Sequence, residues 1–426
     1  MLRYFTFLLL ISAFEVSAQY VPRSQVKMIF TNKGDSLQSA LLTELINEKL
    51  QKKEIGKGLD SLFQMRSQYR PKYAKNIYLP HVGYFQYGNL SDTNYLDIEK
   101  LTIVGVSITN DVWKNVLLCK NLQSLELVNT DLKILPSSLR KLKKLNHVAI
   151  LDNKSPERIR LPRNTEVSHL TIRGSRESNL PRRFKRLKKL KSLDLADNNL
   201  TQFCNGIKRN KMLRNINLQF NHIDLTQQKI RGSKFLERIE LQNNKVSEVP
   251  ASIRNFPSLK ALLLNNNGIE NVHENIGKLT KMETLSFYNN KLTTLPPQIF
   301  RLRLLKELDL YHNNLERIPD EISNLDKIEV LYLSNNRLIT LPQDIVYLPQ
   351  LRELYVHSNR INEIPDSISN LKQLQILRVN NNRIIYLPES MASLSKIEIL
   401  DVSNNQLFEI PSAIFDLPEL KILSLV

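Results

Sequence analysis

Two cysteines, one tryptophan and 11 glycines in 426 residues remove several architectures at once. A disulfide-stapled small domain needs far denser cysteine. Cys119 and Cys204 stand alone, so no C-x-x-C redox or zinc motif is present. Phosphate-cradling glycine loops, H-E-x-x-H and G-x-S-x-G are missing too, and the chemistries they carry have no residues to run on. No apolar run reaches the roughly 20 residues of a membrane-crossing helix. With so little glycine, the turns must be supplied by another residue type, and asparagine is the candidate.

Asparagine is also where the order lies. It recurs at Asn198, Asn221, Asn244, Asn267, Asn290, Asn313, Asn336, Asn359, Asn382 and Asn405, always 23 residues apart. A fixed period of this length marks a solenoid, in which each unit stacks only on its neighbours. The unit from Leu305 to Lys327 shows the pattern: Leu305, Leu308, Leu310, Asn313, Leu315, Ile318, Pro319, Ile322 and Leu325. The L-x-L step has period two and predicts a short strand. The later I-P-x-x-I-x-x-L step suits a helical or 3-10 turn. An asparagine between them can bond backbone of adjacent turns through both its carbonyl and its amide, forming a ladder.

This pattern resembles the leucine-rich repeat family, in its 23-residue class with Ras-suppressor and Scribble-type proteins. Full units open at Leu122, Leu145, Val167, Leu190, Leu213, Leu236, Leu259, Met282, Leu305, Ile328, Leu351, Leu374 and Ile397. A degenerate unit with Ile98, Leu101 and Ile103 precedes these 13, and a partial one follows at Leu420. The resemblance implies an α/β solenoid: a curved horseshoe with a parallel concave sheet and short helical or 3-10 turns on the convex side. Departures mark the early units. Thr130 and Ser175 replace the ladder asparagine, the Leu213 unit carries Thr226 where others have the Leu-Pro pair, and His273 stands in for proline.

Three segments are expected. Residues 1–18 read as a signal peptide: Arg3, an apolar run from Tyr4 to Phe14, then Val16-Ser17-Ala18, with cleavage after Ala18. Residues 19–97 read as a helical and irregular cap, with Asp35 capping a helix and tyrosines crowded from Tyr69 to Tyr95. Residues 98–426 form the repeats. Export to the cell surface, periplasm or medium follows from the leader; a cytoplasmic location follows if that segment is instead part of the fold. Four repeats at roughly 4.8 Å each put Cys119 and Cys204 about 20 Å apart, beyond disulfide reach. The chain stops at Leu423-Ser424-Leu425-Val426, inside a strand, and pairing of that edge would give a dimer.

The net charge of +18 is concentrated. Residues 122–235 hold 25 basic and 9 acidic side chains, whereas residues 236–426 hold 20 and 23. The densest run is Arg182, Arg183, Lys185, Arg186, Lys188 and Lys189, in the turn half of its repeat. Such a band suits an anionic polymer or membrane surface. Export and the lack of a base-stacking motif argue against nucleic acid.

In the family, residues between the strand leucines line the concave sheet. Here they include Tyr288, Tyr311, His312, Tyr332, Tyr355 and His357, beside Glu307, Asp309, Glu353 and Arg378. Tyrosine next to charge is what binding hot spots are rich in. His147 and His169 share a slot in adjacent repeats, but two imidazoles make no metal site without a third ligand. The expectation is a non-enzymatic scaffold without cofactor or metal, docking a protein on its concave face.

Overall fold

The structure, a computed structural model, describes residues 76–79, 83–86, 98–162, 166–226, 228 and 230–425. The expected leader and nearly all of the expected 19–97 cap, including the helix at Asp35, lie outside the described residues. The chain divides into two compact units, Met1–Ser175 and Arg176–Val426.

In the first unit, strands Lys100–Val104, Ser124–Val128, His147–Leu151 and His169–Arg173 pair in parallel. The register stacks Leu101, Leu125, Val148 and Leu170 in one row, and Ile103, Leu127, Ile150 and Ile172 in the next. All eight are 4 % exposed or less. Two short strands come from the N-terminal region: Asn76–Leu79 pairs antiparallel with Gly83–Gln86 and also with Lys100–Val104. The hairpin thereby occupies the backbone edge that the first repeat strand would otherwise leave open. The degenerate first repeat turns through an α-helix, Asn110–Val116, which buries Val112, Trp113 and Val116.

The second unit carries strands Ser192–Asp194, Asn215–Asn217, Arg238–Glu240, Ala261–Leu263, Thr284–Ser286, Glu307–Asp309, Val330–Tyr332, Glu353–Tyr355, Ile376–Arg378, Ile399–Asp401 and Ile422–Ser424. Each pairs in parallel with the next, one repeat on. Each leucine stacks on its counterpart, so one slot per repeat is a continuous buried column. The return half is a five-residue 3-10 turn in most repeats, as in Ala251–Asn255 and Asp320–Asn324. Proline at the position before the turn holds φ near −65° and sets the entry. His273 replaces that proline and takes over by capping: its Nδ1 accepts the Asn275 backbone N–H at 3.1 Å.

The asparagine ladder forms as the spacing predicts. Asn313 Oδ1 accepts Leu292 N–H at 3.0 Å, and its Nδ2 donates to Phe287 O at 2.9 Å and Leu310 O at 3.1 Å. The same three-way pattern holds at Asn221, Asn244, Asn267, Asn290, Asn336, Asn359, Asn382 and Asn405. Thr130 and Ser175 are too short to span a turn. Ser175 Oγ donates to Arg173 O, at 2.9 Å, and accepts the Asn153 N–H, at 3.3 Å.

One residue earlier, the backbone is left-handed repeat after repeat. Asn243, Asn266, Asn289, His312, Asn335, Ser358, Asn381 and Asn404 have φ between 51° and 62°. Asparagine adopts this conformation at low cost, so the recurrent Asn-Asn pair divides its labour between bend and ladder. Phe220 holds the same bend at φ 53°. Replacing Phe220 with asparagine should raise unfolding free energy by about 1 kcal/mol. A drop in urea midpoint would show instead that the ring packs usefully.

Candidate functional site

Alternation along each strand puts leucines into the core and the residues between them on the open face. Three neighbouring repeats therefore display a grid. The first row is Glu307, Asp309 and Tyr311; the second is Val330, Tyr332 and Ser334; the third is Glu353, Tyr355 and His357. Tyr332 is its centre, with Asp309 and Tyr355 as lateral register partners.

The predicted tyrosines fall into two stacked pairs in two different columns. Tyr288 and Tyr311 lie 5.3 Å apart with planes at 10°, and Tyr332 and Tyr355 lie 4.8 Å apart at 16°. His357 packs edge-on to Tyr311 at 5.7 Å. Ser334 occupies that same column between them, so the two rings close over it. His312 packs edge-on to Tyr311 at 5.9 Å, but it sits on the left-handed bend at the rim. Arg378 lies over the Tyr355 ring, 6.0 Å from its centroid. The four tyrosine rings and His357 are half-buried and His312 is exposed, while the leucines beneath, Leu308, Leu310, Leu331 and Leu333, are wholly buried.

The grid is acidic. Glu307, Asp309 and Glu353 make no ion pair among the described residues. Asp309 accepts from Ser286 Oγ at 2.7 Å and from Tyr311 N at 3.1 Å, and Glu353 accepts from Tyr355 OH at 2.8 Å. Burial raises the Glu307 carboxyl, with Asp309 and Glu353 adding repulsion and Arg238 opposing them. Burial also raises Asp309, against the bonds from Ser286 and Tyr311. Tyr332 is raised by burial, then by Glu353, Glu307 and Asp309. His357 is lowered by burial and by Arg378.

The signs fix a pH dependence. Raised carboxyls contribute stability that is complete below their unfolded value near 4 and lost as pH rises through the folded one. The lowered His357 contributes above about 6.5 and loses that contribution as pH falls through its folded value. Glu307→Gln should therefore raise the melting temperature at pH 7 and change it little at pH 3. An equal shift at both would remove charge as the cause.

The basic residues lie elsewhere. Arg182, Arg183, Lys185, Arg186, Lys188 and Lys189 are all exposed around the turn Phe184–Arg186 and share no strand with the tyrosines. His147 and His169 are register partners, and each imidazole Nδ1 meets a serine hydroxyl, Ser124 at 2.9 Å and Ser168 at 2.8 Å. Cys119 and Cys204 are buried free thiols, pushed up to about 11 and about 12 by burial, and so stay protonated at neutral pH.

Sequence reasoning missed a further row. The second residue of successive repeats reads Glu237, Lys260, Glu283, Lys306, Glu329 and Arg352. Their backbones hydrogen-bond one to the next, so opposite charges alternate up the stack. Ion pairs of 3.0 Å join Lys260 to Glu237, 3.8 Å Lys306 to Glu283, and 3.9 Å Arg352 to Glu329. The signal becomes visible once the repeats are laid in register.

Two family profiles match the chain: Leucine-rich repeat region over residues 297–381, and Leucine Rich Repeat over residues 396–417. A search of curated proteins finds no match. Among solved structures, a leucine-rich repeat protein of Leptospira interrogans is 26 % identical, covering 79 % of this chain and 94 % of its own, with a TM-score of 0.62. The Toll–Spatzle complex of Drosophila aligns at 20 % identity over 79 % of this chain and 53 % of that one, TM-score 0.61. A plant peptide hormone receptor, solved in complex with RGF2, aligns at 22 % over 78 % and 63 %, TM-score 0.54. With the stacked parallel strands and the asparagine ladder, these matches make the chain a leucine-rich repeat protein.

Proposed function

We propose that the protein is an exported, non-enzymatic scaffold that binds a protein partner on the open face of its sheet, through Tyr288, Tyr311, Tyr332, Tyr355, His312 and His357. The observation that carries this reading is the pair of tyrosine stacks on a face backed by fully buried leucines. Rings held in place by their neighbours lose little freedom on docking, which preserves affinity. The Toll–Spatzle and RGF2 complexes, solved for proteins of similar fold, support it.

The test is affinity capture from a native extract with residues 19–426 as bait, eluted in a salt gradient. A discrete protein held through moderate salt, and lost with the Tyr311→Ala/Tyr332→Ala variant, is the expected result. A second reading rests on the exposed run from Arg182 to Lys189, which would hold an anionic polymer or membrane surface. It expects a mixed anionic eluate, released early and equally by the variant.

A further inference from the structure

Ser334 is the serine of its strand's open-face column, wholly buried, and its Oγ has no hydrogen-bond partner among the described residues. Its counterpart three repeats on, Ser403, donates to Asp401 two residues before it at 2.7 Å. In the Ser334 repeat that preceding position is Tyr332, which offers a ring where Asp401 offers a carboxylate. A buried hydroxyl without a partner costs about 1–3 kcal/mol, so its persistence calls for an occupant that satisfies it.

The surroundings say what that occupant is. Glu307 and Glu353 stand on the strands either side of Val330, roughly 10 Å apart at about 4.8 Å per strand, and Asp309 is beside Tyr332. These three carboxylates lack ion pairs among the described residues, on a chain of net charge +18. The neighbouring repeat already shows the geometry a cation adopts here, because the Arg378 guanidinium lies over Tyr355.

We infer that the centre of the grid receives an arginine side chain of the partner, its guanidinium lying over Tyr332, its N–H groups shared among Glu307, Asp309 and Glu353, and one donated to Ser334 Oγ once the Tyr311 and His357 rings part. A guanidinium fits better than an ammonium, because it is planar, stacks on aromatic faces and spreads five donors between separated acceptors. The inference rests on the scaffold reading and names the chemistry of its partner.

The test uses the full chain and fluorescently labelled hexapeptides of arginine, lysine and glutamate, read by anisotropy. A protein of this net charge has no general reason to hold a polycation, so saturable hexa-arginine binding is itself informative. The expected order is arginine above lysine, with no glutamate binding. Glu307→Gln/Glu353→Gln should weaken hexa-arginine by about tenfold or more. Ser334→Ala should weaken it by a few-fold, and the remote exposed pair Glu363→Gln/Glu409→Gln should leave it unchanged. Circular dichroism checks that each variant folds. Equal binding by the Glu307/Glu353 variant and the wild type, or no arginine binding at all, overturns the inference. The scaffold reading then still stands if protein capture depends on Tyr311 and Tyr332. Arginine binding through the carboxylates with no protein captured would instead support the arginine site and overturn the scaffold reading.

Discussion

Asn313→Ala should lower the stability of the second unit by about 4–6 kcal/mol. The side chain is 7 % exposed and closes three backbone groups: Leu292 N–H at 3.0 Å, Phe287 O at 2.9 Å and Leu310 O at 3.1 Å. Each bond contributes about 1 kcal/mol net, and a buried Leu292 N–H left without an acceptor costs about 1–3 kcal/mol more. Asn313→Asp should do no better than alanine. It keeps the acceptor for Leu292 but turns an oxygen towards the Phe287 and Leu310 carbonyls. Stability in a solenoid is summed over repeats and neighbouring contacts, so the damage is local first. Hydrogen exchange at the Leu292 amide should accelerate before the global unfolding curve moves. A loss under about 1 kcal/mol, with Leu292 still protected, would show that the ladder is replaceable by solvent.

Tyr311→Ala/Tyr332→Ala should weaken a captured partner by about 2–4 kcal/mol, roughly 30- to 1000-fold, while the protein stays folded. The double change takes one ring from each stack, so neither Tyr288 nor Tyr355 keeps its partner. It leaves Leu308, Leu310, Leu331 and Leu333 in place, all 0 % exposed. Stability should fall by little more than the about 0.5–1.5 kcal/mol that each stacked pair carries. Affinity measured by calorimetry and stability by urea unfolding separate the two effects. Unchanged affinity would remove these residues from the binding face. A collapse of the fold would make them sheet-stiffening residues.

The fold could be read from the chain because a 23-residue period repeats one local solution many times, and each repeat tests the others. Leu308, Leu310 and Asn313 took the roles that their spacing assigned. That asparagine makes the turns was legible from the scarcity of glycine, but which asparagine bends was not, because Asn289 beside Asn290 looks like more of the same residue and φ is not written in composition. The antiparallel pair at 76–79 and 83–86 escaped because those stretches have no repeat to vote for them. At the candidate site, strand spacing put Tyr288, Tyr311, Tyr332 and Tyr355 on the open face but ran them together as one set, and it put His312 there although that residue sits on the bend. Tyr311 and Tyr332 differ by two residues in register, which is one full column on a pleated sheet. Ser334 was invisible because its interest lies in what does not bond to it.

The row from Glu237 to Arg352 repeats over two units, not one, since its sign alternates while the leucines and asparagines do not. Excision of a single repeat, such as residues 283–305, would leave every core slot matched yet bring Lys260 against Lys306. Excision of two adjacent repeats would restore alternation along with the core. Each pair is exposed and weak on its own, but the row gives the solenoid a parity, in which lengthening or shortening by even numbers of repeats is electrically silent and by odd numbers is not.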